Sequence, residues 1–295
     1  MTQEISKTRA WILAARPKTL PAASVAVFVG SALAIRTHKF SFVASLFCLL
    51  CSFLIQIGTN FANDLFDHLK GSDTPDRVGP MRLLSSGHIA PREMKVALWV
   101  TFGLAFLLGM YLVYIGGMPI LIVGVLSIIS GIVYTAGPYP LAYNGLGDLF
   151  SFVFFGVVGT VGTYYVNTLE ISRLAFVASV PVGSLITAIL VVNNYRDIAQ
   201  DRAANKNTLA VTFGKKFSRI EYRTFIFVSF LTPLALYHFF DFSYWVFLPV
   251  ITVPLAVKMI RLLSTLEGQA LNKLLAITAA FSAIFGLLFA IGIAL

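Results

Sequence analysis

Two clusters of carboxylate and amide side chains could carry out chemistry in this chain, and each follows a long apolar stretch. The first cluster consists of five polar side chains, Gln56, Asn60, Asn63, Asp64 and Asp67. Residues three or four positions apart share one face of an α-helix, so a helix continued through 56–67 carries a single polar stripe. Because exposure of this stripe to lipid would be costly, we expect it to face a cavity inside a helical bundle.

The second cluster lies far along the chain and has the same character. Its members are Asn193, Asn194, Asp197 and Asp201. Oxygen donors of this kind suit hard cations such as Mg²⁺ or Ca²⁺, and the absence of His and Cys from both stripes argues against zinc. Six basic residues lie near the clusters: Lys70, Arg77, Arg82, Arg196, Arg202 and Lys206. Both signs of charge together fit a metal-bridged diphosphate, whose remaining oxygens the basic side chains would bind.

Composition places these clusters in a membrane protein. The chain has 295 residues, of which 58% are hydrophobic and 12% are charged, whereas soluble domains carry roughly 25% charged residues. An ordinary soluble domain and a disordered chain are therefore both excluded. Two cysteines also exclude a disulfide scaffold and a multi-cysteine zinc site.

Nine stretches without charge are candidates for membrane spans, since a spanning helix needs about 20 largely apolar residues. The long stretch 96–147 breaks into two at the turn-forming sequence 116–119. The other stretches are 19–35, 40–63, 149–169, 174–195, 224–240, 242–257 and 274–295. We therefore expect an all-α fold, a single domain over 1–295 with nine transmembrane helices around a central cavity that opens to the cytoplasmic side. Functional loops would lie at about 64–95 and 196–223.

The distribution of basic residues predicts the orientation of this bundle. With nine spans, all of the 22 Lys and Arg residues except Arg36, Lys39 and Arg173 fall on one side. Positive charge collects on the cytoplasmic side, so we expect the N-terminus to be cytoplasmic and the C-terminus outside. We expect the chain to be a multi-pass protein of a bacterial inner membrane. This asymmetry accounts for the formal charge of +9 without a nucleic-acid partner.

At the two clusters the sequence resembles the UbiA superfamily of membrane prenyltransferases. The matching residues are Asn63, Asp64 and Asp67 with Asp73, and Asp197 with Asp201. Within the superfamily it resembles the branch that prenylates 1,4-dihydroxy-2-naphthoate in menaquinone and phylloquinone synthesis. The segments 16–21, 63–80, 134–140 and 194–211 carry this narrower resemblance. In most of the superfamily an acid follows four residues after the second Asp, but here position 71 is Gly and the acid is Asp73, as in the naphthoate branch.

The resemblance implies a chemistry and a set of site residues. A long prenyl group would pass from a prenyl diphosphate to a ring carbon of the naphthoate, with loss of CO₂ and diphosphate, to give demethylmenaquinol or its phytyl equivalent. Asn63, Asp67, Asp197 and Asp201 would bind Mg²⁺, and Asp64 and Asp73 would complete the first motif, either being a candidate base. Lys70, Arg77, Arg82, Arg202 and Lys206 would bind diphosphate, and Gln56, Asn60, Asn193, Asn194, Tyr134 and Tyr139 would line the cavity.

Several alternatives stay open at this point. The acceptor could be 4-hydroxybenzoate or homogentisate, the reaction could be terpene cyclisation, and the donor could carry a phytyl or a longer polyprenyl group. An ion-coupled transporter would place ionisable groups near the middle of the bilayer, whereas here each Asp and Glu falls at a span end or in a loop. The segment 138–144 is either a lid over the cytoplasmic site or an ordinary turn. The partners implied are the two substrates and the lipid bilayer, with no obligate protein partner.

Overall fold

The computed structural model describes residues 5–72, 78–79 and 82–295, without the side chain of Lys18. Two predicted site residues, Asp73 and Arg77, lie outside the described residues. Every regular element in the described part of the chain is helical and none is a strand, which confirms the all-α fold class.

Ten helices follow one another along the chain. They are α1 (Lys7–Ala15), α2 (Leu20–Arg36), α3 (Phe42–Leu69), α4 (Pro91–Gly116), α5 (Met118–Val133), α6 (Gly147–Thr168), α7 (Arg173–Ala203), α8 (Leu209–Phe239), α9 (Tyr244–Thr265) and α10 (Gly268–Ala294). Each uncharged stretch of the sequence overlaps one of the helices from α2 to α10. The short helix α1 was not expected from the sequence.

Six of these helices are long and apolar enough to cross a membrane: α3, α4, α6, α7, α9 and α10. The pair α1 and α2, bent by 45°, would add a seventh if it forms one span. Helix α5 has only 16 residues, and the first half of α8 carries several basic residues. The described residues therefore contain six or seven candidate spans, and the count of nine stays a prediction.

Glycine and proline set the breaks between several helices. Gly117 ends α4 with a φ of 68°, a conformation that glycine adopts without steric cost. Pro119 then stands in the first turn of α5, where its missing N–H group costs nothing. This is the break that the sequence indicated at 116–119. A second glycine, Gly214, has a φ of 80° and bends α8 near its beginning.

The main core is built around α7, which packs against α2, α6, α8 and α10. Its buried residues include Leu33 of α2, Leu185 of α7, Tyr222 of α8 and Phe285 of α10. A second core joins α1, α3 and α4 and includes residues of the segment 83–89. The two cores hold the C-terminal ends of α3 and α7, where the polar clusters lie, in fixed positions.

The crossing of α6 and α7 is unusually close. A Cβ atom on Gly156 would lie 2.5 Å from the Cα of Gly183 and 3.1 Å from the carbonyl oxygen of Ser179. Such contacts require small residues, as is common where membrane helices pack. Gly162, two turns further along α6, has no atom within 4 Å of the same position.

We expect Gly156→Ala to lower the melting temperature of the detergent-solubilised protein, because the added methyl group meets backbone atoms that cannot move aside. Gly162→Ala is the matched control in the same helix. It should leave the melting temperature unchanged or slightly raised, since alanine is about 1 kcal/mol more favourable than glycine in a helix. Equal melting temperatures for the two variants would contradict the close crossing.

Candidate active site

Both polar clusters lie on continuous helices. Helix α3 runs to Leu69 and α7 to Ala203, so each set of spaced residues does form one helical face. The four carboxylates Asp64, Asp67, Asp197 and Asp201 are all more than nine-tenths buried. Buried carboxylates need cationic or hydrogen-bonding partners.

Two arginines from distant parts of the chain bind the carboxylates of α3. Arg16, which follows α1, donates from Nη2 to Oδ1 of Asp64 over 2.7 Å. Arg82 donates to the same oxygen of Asp64 and, over 3.0 Å, to Oδ2 of Asp67. Arg82 itself is 8% exposed. These charge-assisted hydrogen bonds fix both carboxylates at the end of α3.

Tyr143 covers the same carboxylates from the connection between α5 and α6. Its hydroxyl donates to Oδ1 of Asp67 over 2.9 Å and lies 2.6 Å from Oγ of Ser72. Because the Tyr143 hydroxyl donates its proton to Asp67, the Ser72 hydroxyl is the donor in its hydrogen bond with Tyr143. The segment 138–144 thus reaches the site through Tyr143, whereas Tyr139 is 62% exposed and is not among the residues that line the cavity.

Lys70 lies beside Tyr143 at the end of α3. Its ammonium donates to the carbonyl oxygen of Thr135 over 2.7 Å and stands 4.4 Å from the centre of the Tyr143 ring. Burial lowers the pKa of the Lys70 ammonium, and the Asp67 carboxylate opposes this shift. The lysine is therefore placed at the edge of the carboxylate cluster, with its charge directed towards a ring face.

On α7, Arg196 binds the neighbouring carboxylate. Its Nε and Nη2 donate to the two oxygens of Asp197 over 2.7 and 2.6 Å. The same guanidinium donates to Oδ1 of Asn193 and to Oδ1 of Asn272 on α10. Asn272 in turn donates to the carbonyl oxygen of Val78 over 3.1 Å. The second cluster is thereby linked to the loop that follows the first.

Asp201 is the least saturated of the four carboxylates. Its Oδ1 lies 3.6 Å from Nζ of Lys206, and its buried Oδ2 has no hydrogen-bond partner among the described residues. Arg202, which was also expected at the site, is exposed and its Nη2 lies 3.4 Å from the carbonyl oxygen of Val211.

A cavity of about 1070 Å³ joins the two clusters. At one end it is polar, and the side chains there include Arg16, Gln56, Asn60, Asn63, Asp64, Asp67, Arg82, Tyr134, Asn193, Asn194, Arg196 and Lys206. At the other end it is apolar, with residues such as Met110, Leu112, Phe150, Phe154 and Ile284. Such a cavity can take a ligand with an anionic head and a long hydrocarbon tail.

The carboxylate and amide oxygens of the two clusters are the candidate ligands for Mg²⁺. In the described part of the chain, no group of three or more His, Cys, Asp and Glu side chains is close enough to hold a metal ion. The open oxygen of Asp201 and the amide oxygens of the two clusters are nevertheless hard donors of the kind that Mg²⁺ prefers. Arg82 already binds Oδ2 of Asp67, and Arg196 binds both oxygens of Asp197, so a cation there would compete with guanidinium groups.

Three residues of this region were not among the expected site residues: Arg16, Tyr143 and Asp148. Arg16 was counted only with the basic residues of the chain. Arg196 was expected near the second cluster as a ligand of the diphosphate, but the carboxylate partners of both arginines could not be read from spacing. Asp148 lies between the uncharged stretches 96–147 and 149–169. It is the one acidic residue between Glu93 and Glu170, which is a signal that the sequence did contain.

Sequence comparison relates the whole chain to known proteins. The family model described as the UbiA prenyltransferase family matches residues 23–284. A protein of Escherichia coli (strain K12) named 1,4-dihydroxy-2-naphthoate octaprenyltransferase is 39% identical over 299 residues, covering 99% of this chain and 97% of that protein. A protein of the same name from Haemophilus influenzae is 37% identical over 97% of this chain and 96% of its own length.

Solved structures share the fold at low sequence identity. A UbiA homologue from Aeropyrum pernix K1 superposes with a TM-score of 0.72 at 13% identity, covering 94% of this chain and 98% of its own. A UbiA homologue from Archaeoglobus fulgidus, bound to GPP and Mg²⁺, gives a TM-score of 0.65 at 18% identity, covering 97% of this chain and all of its own.

The hydrogen bond from Tyr143 to Asp67 leads to a stability prediction. Tyr143→Phe removes the donor from a buried carboxylate oxygen, at a cost of about 1–3 kcal/mol, so its melting temperature in detergent should fall. Tyr139→Phe makes the same change four residues away on an exposed side chain and should melt like the parent protein. A Tyr143→Phe variant that melts with the control would show that the bond does not stabilise the fold.

Proposed function

The chain belongs to the UbiA prenyltransferase family, and we propose on this premise that it transfers a long prenyl group from a prenyl diphosphate to 1,4-dihydroxy-2-naphthoate. Diphosphate and CO₂ leave, and demethylmenaquinol or its phytyl equivalent is the product. The observation that carries the proposal is the near-full-length similarity, at 39% and 37% identity, to two proteins named 1,4-dihydroxy-2-naphthoate octaprenyltransferase. The two-ended cavity at the carboxylate clusters supports it independently of any name.

The polar end of the cavity would bind the diphosphate. Arg16, Arg82, Arg196 and Lys206 all line this end, and arginine forks match phosphate oxygens well. Their charge favours breaking of the allylic C–O bond, because it stabilises the negative charge that develops on the leaving diphosphate. Lys70 and Arg77 complete the diphosphate-binding set that we propose.

The donor chemistry of the clusters fits Mg²⁺, which Asn63, Asp67, Asp197 and Asp201 would hold. When bound, the ion supplies further positive charge to the diphosphate oxygens. Asp64 and Asp73 belong to the first motif, and the two guanidinium groups on Asp64 suit it to orienting those arginines.

The apolar end of the cavity would take the prenyl tail and exclude water from the allylic cation. Side chains such as Met110, Phe150 and Phe154 line it, so the cation meets hydrocarbon and aromatic faces rather than solvent. A ring carbon of the acceptor, made nucleophilic by the ring hydroxyls, is then the available partner. Lipid access for the long tail explains why the enzyme is built in a membrane.

The membrane arrangement is part of the same proposal. The six candidate spans, the α1 and α2 pair taken as a seventh, and the helices α5 and α8 would make nine membrane crossings. The N-terminus would be cytoplasmic and the C-terminus outside, because the basic residues collect on one side. The two relatives described above are bacterial, so the membrane would be a bacterial inner membrane. The carboxylate clusters would then face the cytoplasm, and the naphthoate and the diphosphate head of the donor would enter from that side.

We expect purified protein in detergent or liposomes to prenylate 1,4-dihydroxy-2-naphthoate, releasing CO₂ and diphosphate, in Mg²⁺ but not in EDTA. The same assay with 4-hydroxybenzoate is the control and should give no product. Product from 4-hydroxybenzoate alone would keep the diphosphate chemistry and overturn the acceptor. Absence of product from any aromatic acceptor with folded protein would contradict prenyl transfer and favour cyclisation or ion transport.

We further expect Asp201→Asn to raise the Mg²⁺ concentration needed for half-maximal turnover by at least about tenfold, equivalent to about 1.4 kcal/mol of binding. The reason is the loss of charge from the carboxylate whose Oδ2 is open. Asp241→Asn is a matched control, because Asp241 is exposed and its positive φ of 53° suits asparagine. An unchanged Mg²⁺ requirement in Asp201→Asn would remove Asp201 from the metal ligands.

A further inference from the structure

Asp148 is a buried acid that the diphosphate chemistry does not use. It lies in the first turn of α6 and is 5% exposed. Its side chain lines the cavity, and its Oδ1 has no hydrogen-bond partner among the described residues. No ion pair to it is found in the described part of the chain. A carboxylate buried in this way is costly unless a ligand or a proton satisfies it.

Tyr134 lies within electrostatic range of Asp148 and of both carboxylate clusters. If Gly147 carried a Cβ atom, that atom would lie only 2.9 Å from the hydroxyl oxygen of Tyr134. The Tyr134 hydroxyl therefore packs against the first residue of α6. Burial raises the pKa of Tyr134, and the charges of Asp148, Asp67 and Asp201 raise it further. Asp148 is therefore close to the polar end of the cavity, where the proposed function places the reacting carbon of the prenyl donor.

The groups that the structure places near the start of α6 form no ion pair with Asp148 among the described residues. Leu190 of α7 lies 3.7 Å from the same position on Gly147, and Tyr143 of the adjoining turn has its proton engaged on Asp67. From α8 comes another acid, Glu221, whose negative charge interacts with that of Asp148. The surroundings thus favour a carboxylate that accepts a proton.

The acids of the two motifs are less suited to that task. Oδ1 of Asp64 accepts from two guanidinium groups, and both oxygens of Asp67 and of Asp197 are bound by hydrogen-bond donors. A proton acceptor needs a free lone pair within reach of the substrate hydroxyl. Oδ2 of Asp201 also has no hydrogen-bond partner among the described residues, but Asp201 is not among the residues that line the cavity. Asp148 lines the cavity and has a free oxygen.

We propose that Oδ1 of Asp148 accepts a hydrogen bond, and then the proton, from a ring hydroxyl of the aromatic acceptor; the proposal rests on the proposed function. Ring electrons form the bond from the carboxylate-bearing carbon to the prenyl carbon, and the allylic C–O bond breaks with its pair going to diphosphate. The hydroxyl proton moves to Asp148 as the ring oxygen becomes a carbonyl. When CO₂ leaves, its bonding pair restores the aromatic ring, and Asp148 returns the proton to the ring oxygen.

A purely structural role makes a different prediction. An acid in the first turn of a helix interacts favourably with the helix dipole, and its loss would then lower stability without changing the chemistry of bound substrates. The test therefore needs a kinetic measurement, a binding measurement and a melting temperature on the same variant.

The experiment compares Asp148→Asn with the parent enzyme at saturating Mg²⁺ and prenyl diphosphate. Asparagine keeps the shape but takes no proton, so kcat on 1,4-dihydroxy-2-naphthoate should fall by about 100-fold or more, with KM changed by less than about threefold. The rise of kcat with pH on the acid side of the profile should disappear in the variant. Asp148→Glu should recover part of kcat, and Asp241→Asn, an exposed change outside the cavity, should behave like the parent.

Binding of a non-reacting prenyl thiolodiphosphate with Mg²⁺, and the melting temperature, should both stay near the parent values in Asp148→Asn. A parent-like kcat and pH profile would overturn the proposal, and so would a loss of kcat matched by a loss of thiolodiphosphate binding or of folding. If the parent enzyme prenylates 4-hydroxybenzoate instead, the proposed acceptor is wrong, and the same kcat comparison on that phenol still decides the role of Asp148.

Discussion

Burial of carboxylates inside an apolar bundle is the constraint on which the rest of this structure depends. A lone charge in such an interior costs several kcal/mol, and removing one member of a buried ion pair costs about 3–5 kcal/mol. Asp64 and Asp67 are bound by Arg16 and Arg82, and Asp197 by Arg196. Carboxylates and guanidiniums therefore bury together, and the elements that carry them must meet at one end of the bundle.

That requirement explains several features of the fold which are not needed for apolar packing. The turn after α1 brings Arg16 to α3, and the segment before α4 brings Arg82 to the same place. The connection from α5 to α6 brings Tyr143 over Asp67. Loops that would otherwise lie at the surface thus contribute buried polar groups, which is typical of loops that carry function.

The cavity has a charged end beside an apolar end, and this contrast gives the chemistry that we propose. Cationic side chains act most strongly on a leaving group where water is excluded, and hydrocarbon walls exclude it. Asp148 stands apart from the arginine-bound acids because no guanidinium reaches it in the described structure. Acids that differ in their partners in this way can take different roles: those that are ion-paired orient cations, and Asp148, which lines the cavity with an open oxygen, can move a proton.

The sequence by itself determined the helical fold class, the polar faces of α3 and α7 and the break at Gly117, because these follow from spacing and residue type along one helix. It also contained the family motifs. Only the tertiary structure decided which partners meet, since Arg16 and Asp64 are 48 positions apart and Tyr143 and Asp67 are 76 apart. Local periodicity carries no information about such pairs. They depend on how helices pack, and for that reason Tyr139 was expected at the cavity, whereas Tyr143 of the same segment is the residue that reaches Asp67.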